Sequence, residues 1–289
     1  MTATLTAKDF ATDTASWWCP GCGDYGVLSA LKSALAELGE TPENVAFVSG
    51  IGCSGKISGY VHAYAFHGVH GRALPVATGV KLANRNLTVI AAGGDGDGYA
   101  IGAGHFIHTV RRNPNITYIV MDNQTYGLTK GQSSPTSEIG YVTGTSPGGN
   151  PDAPINGLAL ALAAGGTFLA RGFSAQPKAL VALLKEAITH RGFSVVEVAS
   201  PCVTYNKINT YAWFKDNVYT VSADDGYDNT NRTQAFATIT AEGKIPLGVL
   251  YREERPTFED LALRDRAVPI VDVSLDDHRS LAKLQETYR

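Results

Sequence analysis

Two sets of residues in this sequence have the types and spacing to do chemistry. Asp95 stands between Gly94 and Gly96, and Asn123 follows at the end of the next apolar run. The Asp95 carboxylate and the Asn123 amide oxygen are hard oxygen donors. Such donors suit Mg²⁺, whose near-octahedral shell diphosphate oxygens and water would complete. The flanking glycines let backbone approach phosphate, and the N-terminus of a following helix favours its charge. A lone Gly-Asp-Gly triplet is also an ordinary strand-to-helix turn with a capping Asp. Asn123, placed at the end of the next strand, argues against that plainer reading.

The second set is the four cysteines. Cys19-Pro20-Gly21-Cys22 forms a C-x-x-C knuckle, Cys53 sits among glycines, and Cys202 follows Pro201. A knuckle offers two thiolates to one metal centre, and two distant ligands close a four-cysteine site. The spacing suits zinc and iron–sulfur alike; a redox dithiol and unligated buried thiols are the alternatives.

Two other phosphate motifs fail. Gly96 and Gly98 are followed by Ile101 where G-x-G-x-x-G needs its last glycine, so the dinucleotide fingerprint is incomplete. Residues 50–56 read G-I-G-C-S-G-K, as a P-loop would, but Ile57 stands where a hydroxyl must hold Mg²⁺.

These residues need a scaffold to hold them. At 289 residues and 44% hydrophobic, the chain can fill a full core. A net charge of −3 gives no basic surplus, so neither nucleic acid nor an anionic membrane is an expected partner. No apolar signal region or spanning segment is visible, and four cysteines are too few for a secreted disulfide scaffold. A cytoplasmic protein is expected.

Helical spacing runs over 27–38, strand patterns over 45–48, 87–92 and 116–121, and a helix over 98–110. Helix, strand, helix, strand then follow at 158–164, 167–170, 179–188 and 194–198. This alternation predicts an α/β fold with a parallel sheet and right-handed crossovers, whose ligands sit at strand carboxyl ends. The Cys53 loop, the Asp95 turn and the Asn123 loop all fall there. A long polar loop, 124–154, is expected to serve as a lid or interface element, or else to lie in solvent. After Cys202 periodicity fades, predicting an irregular C-terminal arm over 203–289 with a terminal helix at 275–288.

The order Gly94-Asp95-Gly96 to Asn123 resembles a thiamine diphosphate motif. The wider set, residues 18–23, 50–54, 67–72, 93–102 and 121–132 with Cys202, resembles the β subunit of 2-oxoacid:ferredoxin oxidoreductases. The likeness spans about 17–202, in five blocks that keep the family's order. It implies a pyrophosphate-type thiamine diphosphate-binding domain over 1–202: a central parallel sheet flanked by helices, with the C-terminal arm beyond it.

The resemblance also implies a [4Fe–4S] cluster on Cys19, Cys22, Cys53 and Cys202, and Mg²⁺ on Asp95, Asn123 and Thr125. It implies thiamine diphosphate contacts from Ile51, Gly52, Cys53, Ser54, His70, Gly94, Gly96, Asp97, Tyr126, Gly127 and Leu128, with His70 and Leu128 near the chemistry. An α subunit would supply the other half of the cofactor site in an α2β2 heterotetramer. The implied reaction takes a 2-oxoacid and coenzyme A and passes electrons to ferredoxin.

Lys56, the one cation in the Cys53 loop, is a candidate anchor for a substrate carboxylate, which would favour 2-oxoglutarate over pyruvate; an exposed solvating lysine is the alternative. His62 and His67 are expected to be structural or exposed, and His105 and His108 structural. Trp17 and Trp18 either shield the cluster or pack the core. The rival functions are a non-oxidative thiamine diphosphate decarboxylase or synthase and a non-catalytic four-cysteine metal or electron-transfer protein. The cysteines argue against the first and the Asp95–Asn123 set against the second.

Overall fold

The computed structural model describes residues 5–263, 268–273 and 285–286. Helix α1 (Asp24–Leu38) buries Val27, Leu28, Leu31, Ala34 and Leu35 along one stripe and ends at Gly39, whose left-handed φ of 74° turns its N–H back onto the helix. Strand β1 (Val45–Ser49) is buried throughout. A 3₁₀ stretch, Ser54–Tyr60, leads to β2 (Tyr64–His67), helix α2 (Ala73–Ala83) and β3 (Thr88–Gly94). A π-helical turn, Gly96–Ile101, precedes α3 (Ala103–Arg112) and β4 (Ile116–Asp122). Then come α4 (Gly157–Ala163), β5 (Phe168–Phe173), α5 (Pro177–Thr189) and β6 (Phe193–Ala199).

The strands form one sheet in the order β2-β1-β3-β4-β6-β5, extended by two further strands described below. Every pair within this part is parallel. Alternate residues point to opposite faces. Phe47, Ile90, Ile119 and Val196 pack with Leu31, Leu35, Leu180 and Leu184 of α1 and α5. Val48, Val89, Tyr118 and Val195 pack with Leu74, Phe106 and Leu158 of α2, α3 and α4. Both faces are covered, which is why the strands read as continuous apolar runs.

Three regions differ from the sequence reading. The glycines after Asp95 lead into the π-helical turn rather than directly into an α-helix. The stretch around His67 is edge strand β2, exposed at all four positions, so it lacks a buried apolar signature.

The segment after Cys202 is not uniformly irregular. It carries α6 (Tyr211–Asn217), β7 (Val218–Thr220), α7 (Arg232–Thr240), β8 (Ile245–Arg252) and α8 (Phe258–Ala262). Strand β8 pairs antiparallel with β5 through a register shift, and β7 pairs parallel with β8 at the sheet edge. Pro246 and Gly248 interrupt the β8 pattern, and short edge elements carry weak periodicity, which explains why they read as an arm. The helix expected over 275–288 lies almost wholly outside the described residues.

Candidate functional site

The register Ser49↔Ala92 and Gly94↔Met121 sets the carboxyl ends of β1, β3 and β4 side by side. The loops leaving them enclose a cavity of about 200 Å³, walled by Ile51, Gly52, Cys53, Ser54, His70, Gly94, Asp95, Gly96, Asp97, Asn123, Thr125, Tyr126, Gly127, Leu128 and Thr129. All residues expected to touch thiamine diphosphate or Mg²⁺ thus surround one space.

Asp95 is buried, and burial pushes its carboxyl above the usual range. The Thr136 hydroxyl donates to its Oδ2 across 2.6 Å. A buried carboxylate with no cation beside it is costly, and a divalent ion would offset that cost. Asn123 Oδ1 accepts from the Thr125 N–H at 3.1 Å, and its backbone carbonyl accepts from Asn206 Nδ2 at 3.0 Å. Past Asn123 the chain closes on itself, with Tyr126 N–H donating to Gln132 O and Gly131 N–H to Tyr126 O. The Tyr126 ring lies so close to Gly96 that a Cβ there would stand 2.1 Å from it, so any side chain at 96 would displace the ring.

Asp97 is 2% exposed. Its Oδ1 accepts from the Ile51 N–H at 2.9 Å, the Gly71 N–H at 2.8 Å and His70 Nδ1 at 2.8 Å. Its Oδ2 has no hydrogen-bond partner among the described residues.

The cysteine set adjoins this cavity. In the knuckle, the Cys22 N–H donates to Cys19 O, and the Gly23 N–H donates to Pro201 O, joining it to the Cys202 segment. A Cβ on Gly127 would lie 3.3 Å from Cys53 Sγ and 3.8 Å from Cys202 Sγ, so these two thiols flank one glycine. Burial, then the nearby Asp24, raises the Cys22 thiol well above its ordinary range, and the same causes push Cys53 up to about 11. Such thiols are inert unless a metal centre supplies compensating charge. Among the described residues, no three His, Cys, Asp or Glu side chains converge as one metal ion would require.

Asp24, wholly buried at the start of α1, accepts from Ser200 Oγ at 2.6 Å, and burial pushes its carboxyl up to about 6. Trp18 is buried, donates from Nε1 to Cys53 O at 2.7 Å and packs edge-on against Tyr25 and Tyr60. Trp17, by contrast, is 82% exposed.

Lys56 does not line this cavity. It lies on a second pocket with Trp17, Ser58, Tyr60 and His67, its ammonium 5.7 Å from the Trp17 ring centre. His67 Nδ1 sits 2.8 Å from Gly55 O, behind the Cys53 loop, and His62 is exposed near Asp9 O. His105 and His108 lie on α3 in a separate surface pocket with Arg72 and Arg112. Sequence reasoning missed Thr136, Asp24 and Asn206. Each is an ordinary polar residue in a loop or helix start, and only tertiary pairing reveals its role.

A family model described as thiamine pyrophosphate enzyme, C-terminal TPP binding domain matches residues 50–198, and one for the C-terminal part of the pyruvate ferredoxin oxidoreductase beta chain matches 202–264. The chain is 47% identical over 263 residues to 2-oxoacid:ferredoxin oxidoreductase 2, subunit beta, of Aeropyrum pernix, covering 87% of this chain and 85% of that one. It is 43% identical to 2-oxoglutarate synthase subunit KorB of Methanothermobacter thermautotrophicus, covering 94% and 92%. A solved 2-oxoglutarate:ferredoxin oxidoreductase from Magnetococcus marinus, with 2-oxoglutarate, coenzyme A and succinyl-CoA bound, superposes with a TM-score of 0.89 at 40% identity, covering 98% of this chain and 95% of that one.

Fold and cavity are those of a thiamine diphosphate-binding domain. The chain belongs to the β subunits of the 2-oxoacid:ferredoxin oxidoreductase family.

Proposed function

We propose that this chain works as the cofactor-bearing β subunit of a cytoplasmic 2-oxoacid:ferredoxin oxidoreductase, paired with an α subunit in an α2β2 heterotetramer. The observation that carries the reading is the shared wall. Cys53 and Gly127 line the diphosphate cavity, and the same Gly127 is flanked by the Cys53 and Cys202 thiols. A redox cluster there would stand against the cofactor.

Bound thiamine diphosphate supplies the carbanion chemistry that decarboxylates a 2-oxoacid, and a [4Fe–4S] cluster supplies one-electron acceptance. The chain's own residues position both. Asp95, Asn123 and the Thr125 carbonyl would hold Mg²⁺ on the diphosphate, and the Gly94–Gly96 turn would admit phosphate oxygens to backbone contact. Leu128, half-exposed at the cavity mouth, would seat the thiazole half and exclude water. Cys19, Cys22, Cys53 and Cys202 would hold the cluster, which spreads its four ligands around a wider core than a single zinc ion does.

The overall balance is one 2-oxoacid, one coenzyme A thiol and two oxidised ferredoxins giving acyl-CoA, CO₂, two reduced ferredoxins and one proton. Relatives named for 2-oxoglutarate favour that substrate, with pyruvate as the second. In the test, the chain is co-expressed with its α partner and assayed anaerobically. Ferredoxin reduction that requires both 2-oxoacid and coenzyme A supports the reading. Release of CO₂ with no electron transfer supports the non-oxidative alternative.

A further inference from the structure

We propose that a second cavity, beside the diphosphate cavity but separate from it, binds a small monocarboxylate that carries a hydroxyl or amino group and an apolar tail. The site goes beyond the proposed function and does not depend on it.

This cavity measures about 390 Å³ and lies where Trp213 and Phe214 of α6 and Ile239 of α7 face β4, β5 and β6. Its size is that of small-molecule sites. It shares no lining residue with the diphosphate cavity, although Thr136, which bonds Asp95, stands on its wall.

Arg171 also lines it, and the arginine side chain is only 11% exposed. It stands opposite Glu197 across the β5–β6 pair and donates from Nε to Glu197 Oε1 at 2.8 Å. Glu197 Oε2 accepts from the Tyr99 hydroxyl at 2.9 Å, so both oxygens of that carboxylate are engaged. Arg171 makes no other hydrogen bond among the described residues, which leaves both terminal nitrogens without a partner. A largely buried guanidinium that uses one of its N–H groups is poorly satisfied. Its two terminal nitrogens form the fork that meets a carboxylate in two parallel bonds.

The remaining wall selects among carboxylates. Gln124 lines the space, and its Oε1 has no hydrogen-bond partner among the described residues. Rotation about its terminal torsion, which is broad for glutamine, brings that amide to a hydroxyl or amino group. Trp213, Phe214 and Ile239 offer apolar surface to a short aliphatic tail. Asp122 and Glu138 also face the space, which disfavours a phosphate or a second carboxylate. Exposed Lys244, on the same wall, attracts a single negative charge.

The test is titration calorimetry on the αβ holoenzyme with three probes. These are L-leucine, the hydroxy acid in which a hydroxyl replaces its amino group, and L-leucinol, which lacks the carboxylate. Saturable binding of at least one acid is expected, with leucinol weaker by about tenfold or more, the size of one charge-assisted hydrogen bond. Whichever acid binds more tightly identifies the polar group that Gln124 meets. No saturable binding of either acid overturns the proposal, as does leucinol binding equally well. Arg171→Lys keeps the charge but not the fork and is expected to weaken the acid about tenfold. Unchanged affinity in that variant overturns the proposal too.

Should Arg171→Lys fail to assemble, the emission of Trp213 decides. Bound acid is expected to change the emission of the wild-type holoenzyme, and that change is expected to be lost in Trp213→Phe. An equal change in both proteins, or none in the wild type, places the acid elsewhere and overturns the proposal.

Discussion

The Thr136 hydroxyl donates to Asp95 across 2.6 Å while standing 2.8 Å from Asp122 Oδ1. One hydroxyl hydrogen cannot serve two carboxylates, so one of them must bring a proton of its own. Asp122 is that one, because burial, then the charges of Asp95 and Glu197, push its carboxyl well above the usual range. Asp95 is thereby left as the anion that meets a cation. Thr136→Val is expected to weaken Mg²⁺-dependent thiamine diphosphate binding about tenfold, the value of one hydrogen bond to a charged group, as titration calorimetry would show.

Asp95→Ala removes the one carboxylate among the proposed Mg²⁺ ligands. Cofactor binding should fall at least a hundredfold, to the level that wild-type protein shows after chelation, and adding Mg²⁺ should restore the wild type alone. Equal rescue of both proteins would place the ion elsewhere.

Cys22→Ser is expected to lose most bound iron and sulfide while thiamine diphosphate binding changes less than about threefold, because Cys22 does not line the cavity. Gly127→Ala should harm both sites together, its methyl pressing on Cys53 Sγ at 3.3 Å. Metal analysis and cofactor titration on the same samples separate the two outcomes.

Lys56 stands on the pocket behind the Cys53 loop rather than in the diphosphate cavity. If it anchors a second carboxylate, Lys56→Ala raises the KM for 2-oxoglutarate about tenfold and leaves that for pyruvate within about twofold. Equal values for both substrates in variant and wild type would return Lys56 to a solvating role against Trp17.

His190 gives a stability prediction away from the site. Burial and the nearby Arg252 lower its imidazole to about 4, against an ordinary value near 6.5. The unfolded chain therefore takes up a proton between pH 6.5 and about 4 that the folded chain refuses. This contribution is present above pH 6.5 and is lost as the pH falls towards 4. Urea midpoints should fall across that window, and less steeply in His190→Asn.

The buried parallel strands were legible because both faces are covered and their residues are apolar throughout, as in Val45–Ser49 and Ile116–Asp122. The Asp95–Asn123 set was legible because its glycines and oxygen donors sit next to those strands. Edge strands β2 and β8 were not, since exposure removes the apolar pattern from one and Pro246 and Gly248 break it in the other. Thr136 and Asp24 were hidden for another reason: each acts through a partner more than 40 residues away. Lys56 looked central because it follows Cys53 by three residues, yet the 3₁₀ stretch turns it to the far side of the loop.

The most direct test of the central claim is metal and cofactor content, measured together on protein purified anaerobically with its α partner. The account predicts a brown protein with about four irons and matching sulfide per β chain, together with bound thiamine diphosphate. A colourless, zinc-loaded or metal-free protein that still holds thiamine diphosphate would contradict it.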